Sequence, residues 1–164
     1  MVNSDPDRTH ISRAIELSEA SLADGGTPFG AVVVLEGQVL GEGYSSVVPL
    51  CDPTAHAEVM AIRAAATAAG THLLDGAVLF SSSEPCPLCL AACYWAHIDR
   101  VVIAATTHDV AVAGFEDLRM YGQFLLEPGQ RRVRVVRSPG ERERAVGVLA
   151  AWMDSVEGGV EPKL

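Results

Sequence analysis

The sequence predicts an α/β protein in three layers, α-β-α, with a central mixed sheet of about five strands. Three observations point there. Short β-branched runs alternate with amphipathic or alanine-rich stretches along most of the chain, and such alternation packs helices on both faces of one sheet. Only the first two strand candidates are joined by a tight turn, so they pair antiparallel, while the later ones are separated by helices and run mostly parallel. The length, 164 residues, suits a single domain over 1–164 able to bury a sizeable core, and no repeat or low-complexity stretch divides it.

Residues 7–23 carry Ile11, Ala14, Ile15 and Leu22 at helical spacing, and Gly25-Gly26 stops that helix. Phe29 to Leu35 is a β-branched apolar strand, Glu36-Gly37 turns the chain, and Val39 to Tyr44 returns as a second strand. The loop 45–53 contains Pro49 and Asp52-Pro53. Thr54 then caps an alanine-rich helix over 55–69, which Gly70 ends. Ala77 to Ser82 is a short buried strand. Pro85 and Pro87 bracket the start of a helix reaching residue 97, because proline suits the first helical turn. Arg100 to Ala105 is another apolar strand, 106–118 has no clear period, and a short helix follows over 117–126. Arg132 to Arg137 alternates arginine and valine, as a charge-protected edge strand does. A helix from Glu141 to Val156, with Val146, Leu149, Ala150 and Met153 on one face, closes the pattern.

Composition narrows the function. No run approaches the roughly 18 consecutive apolar residues of a membrane span, and Met1 to Asp7 is polar and acidic, unlike a secretory signal. A soluble cytoplasmic protein with no membrane partner is expected. The formal net charge of −9 repels phosphate backbones, so nucleic acid is not expected as a partner. Arg131, Arg132, Arg134, Arg137, Arg142 and Arg144 nevertheless cluster locally, which keeps a polyanion in view. Of the four cysteines, Cys86, Cys89 and Cys93 fall within one short stretch, a spacing that favours metal or redox chemistry over structural disulfides.

Two short patterns carry the chemistry. Thr54-Ala55-His56-Ala57-Glu58 opens one helix, and Glu84-Pro85-Cys86-Pro87-Leu88-Cys89 turns a strand into the next. Cysteines at i and i+3 on a first helical turn point the same way and can chelate one ion, while the helix dipole stabilises their thiolates. With His56 they give three ligands to Zn²⁺ and leave the fourth tetrahedral position open for water, the arrangement of a catalytic site. Glu58, two residues after His56, is the proton carrier. Cys93 lies on the same helix face as Cys89 and reads as a buried small hydrophobe. A thioredoxin-like redox pair or a non-catalytic zinc module is the rival from another class; the His-x-Glu helix start one element earlier argues against redox.

These paired motifs are those of the zinc deaminases. Together with Pro28-Phe29-Gly30-Ala31 and Asp52-Pro53, they make the chain resemble the cytidine-deaminase-like superfamily over residues 27–126. Within it the chain resembles the branch that holds bacterial guanine deaminases and tRNA adenosine deaminases, and Tyr94-Trp95-Ala96, Ala113-Gly114-Phe115-Glu116-Asp117 and Tyr121 look most like the guanine deaminases. The resemblance implies the cytidine-deaminase-like fold and hydrolytic release of ammonia from an amino-substituted ring. It implies Phe29 stacked on the base, Trp95 lining the pocket, Asp117 binding substrate or assisting proton transfer, and the Ala57 backbone amide on a ring carbonyl. It also implies a homodimer in which the C-terminal segment 141–164, Trp152 included, reaches across to the partner's site. Two positions depart from the family. Ser45 stands where an asparagine usually hydrogen-bonds the substrate, and a hydroxyl cannot present donor and acceptor together from one planar group. Val112 stands where relatives tend to carry a charge. The ring therefore stays open: guanine leads, ahead of cytosine-type bases, isocytosine or aminotriazines, a nucleoside such as guanosine or cytidine, and adenosine in tRNA.

Overall fold

The computed structural model describes residues 6–115 and 117–156. They fall into two compact units, one ending at Tyr121 and one beginning at Gly122.

The first unit is built on a mixed sheet in the order β2-β1-β3-β4. Helix α1 (Pro6–Ala23) precedes β1 (Gly30–Leu35) and β2 (Gln38–Tyr44). Between these strands Glu36 and Gly37 both take positive φ, 51° and 78°, the two left-handed residues of a tight hairpin turn. After the short helix α2 (Val47–Leu50) come α3 (Ala57–Ala69), β3 (Val78–Ser83), α4 (Pro87–Trp95) and β4 (Arg100–Ala105). Strand β1 pairs antiparallel with both β2 and β3, and β3 runs parallel to β4. The mixed sheet with helices on both faces is the expected architecture, with four strands among the described residues instead of five.

The missing strand is 132–137, which runs as bends and irregular chain. Val133, Val135 and Val136 are each more than three-quarters exposed, so the valines of that alternation meet no core face. Two more expectations are corrected. The stretch 106–118 contains α5 (Thr107–Val112), opened by a reciprocal capping box between Thr106 and Asp109. The cap of α3 is His56, not Thr54: the Thr54 hydroxyl and amide both donate to Asp52 Oδ1, which spends them on a turn before the helix begins.

Period-two alternation along β1 divides the core. Ala31 and Val33 face α3 and α4 in a cluster with Ala57, Ala61, Ala65, Leu79 and Cys93. Val32 and Val34 face α1 with Ala14, Leu17 and Phe80. Burial of a valine, leucine or phenylalanine side chain stabilises by about 1.5–3 kcal/mol. On β2 the residues facing α3 are Gly41 and Gly43, and they set how near the helix lies. A Cβ on Gly43 would meet the Ala61 backbone nitrogen at 2.5 Å and the Ala57 carbonyl oxygen at 2.6 Å.

Helix α6 (Asp117–Phe124) spans the boundary between the units. The second unit holds a 3-10 turn (Pro128–Gln130) and α7 (Arg142–Ser155), and none of its described side chains is buried. Within it Arg131 Nε donates to the Leu126 carbonyl at 3.0 Å, and the Arg132 amide donates to Gln123 Oε1 at 2.8 Å. No helix of the described residues is long and apolar enough to cross a membrane.

Substituting Gly43→Ala is expected to lower unfolding stability by about 1–3 kcal/mol, the usual result of overpacking. Chemical denaturation checks this, and an unchanged midpoint would show that α3 does not lie so close to β2.

Candidate active site

Strand polarity collects the site at one end of the sheet. Because β1 is antiparallel to β2 and β3, the start of β1 and the ends of β2 and β3 share an edge. Phe29, Ser45, Ser83 and Glu84 are the residues found there. Helices α3 and α4 both begin at this edge. His56 is the N-cap of α3 and Cys86 the N-cap of α4, each with extended backbone and neither with a side-chain cap bond. Their side chains point elsewhere: Cys86 Sγ lies 3.6 Å from His56 Nδ1 and 3.6 Å from Cys89 Sγ. The donor atoms of His56, Cys86 and Cys89 all fall within 4.8 Å of one another. Ligands held by zinc at its usual Zn–S and Zn–N distances lie about 3.6–3.8 Å apart around a tetrahedron, so both measured separations fit that ion. Cys93 stays outside the group, packed in the core, where burial first and the Glu58 charge second push its thiol up to about 12. The donor set among the described residues is thus three, as in a catalytic zinc site.

The electrostatics suit a metal ligand set. The hydrogen bond shared with Cys89 draws the Cys86 thiol down to about 4 against the opposing effect of burial, and His56 assists. Cys89 is pushed far up by Cys86 and by burial. His56 is raised by its contact with Cys86. Glu58, in the first turn of α3, is buried, and desolvation raises its pKa. Ser81 on β3 donates to Glu58 Oε1 at 3.1 Å and favours the charged form. A carboxyl poised in this way can both take and return a proton.

A cavity of about 170 Å³ opens onto these groups, lined by His56, Ala57, Glu58, Cys86 and Cys89 and walled by Phe29, Ser45 and Asp117 among others. Phe115 packs edge-on against Phe29, with centroids 4.9 Å apart and planes at 72°. Ala57 is the first residue of α3, where backbone N–H groups have no intrahelical acceptor. Asp117 opens α6, and burial raises its carboxyl. That helix is tied to the metal-binding turn by the Tyr121 hydroxyl, which donates to the Pro85 carbonyl at 2.9 Å.

Trp95 is the exception among the expected residues. It ends α4 with 62% of its surface exposed and lines no wall of this cavity. Six residues after Cys89, it projects from the helix face opposite to that of Cys89 and Cys93. Sequence reasoning in turn assigned no role to Thr27, Val47, Ser81, Ser83, Glu84 or Phe115. For Ser81 the available signal was alternation along β3, which turns it to the same face as Leu79, toward α3. Glu84 accepts the Thr107 amide at 2.8 Å and so joins the end of β3 to the start of α5.

Comparison with known proteins agrees with this geometry. Residues 4–105 match the family described as cytidine and deoxycytidylate deaminase zinc-binding region. Guanine deaminase of Bacillus subtilis is 46% identical over 117 residues, covering 71% of this chain and 75% of that protein. A crystal structure of guanine deaminase from Bacillus subtilis superposes with a TM-score of 0.86 at 36% identity, covering 96% of this chain and 98% of that one. A tRNA-specific adenosine deaminase of Haemophilus influenzae is 33% identical over 125 residues, 73% of this chain and 72% of the relative. The family match spans the residues that bear His56, Cys86 and Cys89, and the chain belongs to the cytidine and deoxycytidylate deaminase zinc-binding family.

Proposed function

We propose that this protein hydrolyses the amino group from a free nucleobase, guanine first, with His56, Cys86 and Cys89 holding Zn²⁺ and Glu58 moving the protons. The observation that carries the reading is the buried Glu58 carboxyl in one cavity with three metal donors and an aromatic wall. Guanine is favoured because the guanine deaminase of Bacillus subtilis matches over nearly the whole chain in structure. A tRNA substrate is disfavoured by the net charge of −9.

Zinc supplies, when bound, the Lewis acidity that makes water a nucleophile near neutral pH. Ser81 holds Glu58 Oε1, leaving Oε2 to accept the proton of the attacking water and to deliver it to the departing amine. The bond from the ring carbon to the exocyclic nitrogen breaks, a carbon–oxygen bond replaces it, and guanine becomes xanthine with release of ammonia. Phe29 stacks on the ring, buttressed edge-on by Phe115. The Ala57 amide donates to a ring carbonyl, Asp117 accepts a ring N–H, and Ser45 contacts the ring edge. We assign the enzyme to the cytoplasm, where its thiols stay reduced.

Ammonia release on guanine, cytosine, isocytosine, guanosine, cytidine and a tRNA transcript tests the reading, alongside metal analysis. We expect about one zinc per chain and fastest release from guanine. Glu58→Gln should keep zinc and lose about 10²–10⁴-fold in kcat, whereas Cys86→Ser should lose the metal. Zinc without turnover of any amino-heterocycle would leave a binding module, and a reversible disulfide without zinc a redox pair.

We further infer a homodimer, because α7 exposes Leu149, Trp152 and Met153, each more than half accessible. In this reading α7 packs across to the partner; the rest of the expected C-terminal segment, 157–164, lies outside the described residues. Light scattering should give twice the chain mass, and Leu149→Glu with Trp152→Glu should halve it. A monomeric parent protein would refute the pairing.

A further inference from the structure

Two hydroxyl-bearing residues that line the cavity touch one another. Thr27 Oγ1 and Ser45 Oγ are 2.6 Å apart, and both residues line the cavity that holds His56 and Glu58. Ser45 is 2% exposed. Their backbones are fixed independently of that contact. The Ser21 hydroxyl lies 2.7 Å from the Thr27 carbonyl and 2.8 Å from the Ser45 carbonyl, so it bridges the two segments. The Ser45 amide donates to the Phe29 carbonyl at 2.9 Å, and the Phe29 amide to the Thr27 carbonyl at 2.8 Å. Gly26 permits the approach, since a Cβ there would meet Ser21 Oγ and the Ser45 carbonyl oxygen, each at 2.5 Å. The pair is therefore held in register with Phe29.

Counting hydrogens shows what the pair offers. Each hydroxyl has one hydrogen and two lone pairs. One hydrogen is used between them, and neither hydroxyl makes another hydrogen bond among the described residues. The accepting hydroxyl keeps its own O–H, and the donating one keeps its lone pairs. Together they present one donor beside one acceptor. Rotation of the two hydroxyls exchanges those roles, which an asparagine amide does only by turning the whole group.

We propose that Thr27 and Ser45 form one recognition element, a hydroxyl dyad that hydrogen-bonds an adjacent donor and acceptor on the ring edge of the substrate in either order. Thr27 is then a specificity-determining residue, and the substrate class is a free heterocycle with an N–H next to a ring nitrogen or carbonyl. The inference rests on the cavity being the base-binding site, as assigned above. The Ser45 hydroxyl already touches Thr27 Oγ1 at 2.6 Å, so a longer asparagine at position 45 is expected to be accommodated best when Thr27 is trimmed.

The test separates recognition from turnover. Binding of guanine, isocytosine, cytosine and guanosine is measured by calorimetry on zinc-loaded Glu58→Gln protein, with and without Thr27→Val or Ser45→Ala. Ammonia release is measured in the same variants with Glu58 intact, and thermal melts and zinc content show that each is folded. Each single substitution is expected to weaken the preferred base by about tenfold or more, the loss of one aligned buried partner. The double substitution should cost little beyond either single one, because each already breaks the dyad. Thr27→Ser should retain wild-type binding. Thr27→Ala with Ser45→Asn should recover binding. Unchanged base binding and ranking in Thr27→Val would overturn the dyad even if ammonia release proves the deaminase reading right. If no base is turned over yet Thr27→Val still weakens base binding selectively, the dyad stands and the deaminase reading falls. No binding of any heterocycle to the zinc-loaded protein overturns both.

Discussion

Everything at the catalytic end depends on two helix starts being brought together at one sheet edge. His56 and Cys86 each occupy an N-cap, the half-in position whose side chain ordinarily satisfies a first-turn amide. Here neither does so, and the two side chains are turned toward one another instead. Capping of this kind contributes about 0.5–2 kcal/mol per helix, so both helices begin without that stabilisation. Zinc bound between them, as proposed, would compensate, since metal coordination is worth far more to a folded chain than a cap. The third ligand costs no further geometry, because Cys89 is three residues into α4, on the turn facing its own N-cap. Pro87 fits the same turn, at a position that needs no N–H donor.

The rest of the first unit fixes where those two starts can be. Helix α3 approaches the sheet closely only because Gly41 and Gly43 face it from β2 and small alanines face back. The hairpin between β1 and β2 then places Phe29 and Ser45 at the same end as the first turn of α3. Reversal of β1 against β3 brings the Pro-Cys turn to that end as well. The candidate ligands, the candidate proton carrier and the aromatic wall therefore come from four separate stretches of sequence (Phe29, His56 with Glu58, Cys86 with Cys89, and Phe115).

What could be read beforehand follows from range. Helices α1, α3, α4 and α7 and the four strands carry local signals: apolar period, proline at a first turn, glycine past an end. The clustering of His56, Cys86 and Cys89 is legible because i, i+3 cysteines and the His-x-Glu pair are short-range patterns. Thr54 misled because its hydroxyl had a nearer acceptor in Asp52. The stretch 132–137 misled because alternation states which residues would share a face, without supplying the neighbouring strand. The Thr27–Ser45 contact and the link from Tyr121 to Pro85 join residues 18 and 36 positions apart. No single-sequence pattern encodes either. Trp95 was placed by resemblance to the family and not by helix phase, and phase turns it away from the cavity.

The charge at this end of the sheet gives the strongest reason for a divalent ion. Cys86 is drawn down toward a thiolate; burial raises Glu58 against hydrogen bonds that lower it, and the Cys86 charge adds to the rise, as it does for Asp117 after burial. Cys89 is pushed up by the same neighbour. The protein's own groups therefore compete for protons: ionising one sulfur makes the second sulfur and both carboxyls harder to ionise. A dication held by His56, Cys86 and Cys89 would reverse that competition, since a bound cation favours deprotonated thiol ligands and dominates the local field. Glu58 then responds to a compensated centre instead of an anionic one, while its burial still permits it to hold a proton. The proposed cation site and the proposed proton-carrying role thus share one structural origin, a carboxyl buried beside two thiols.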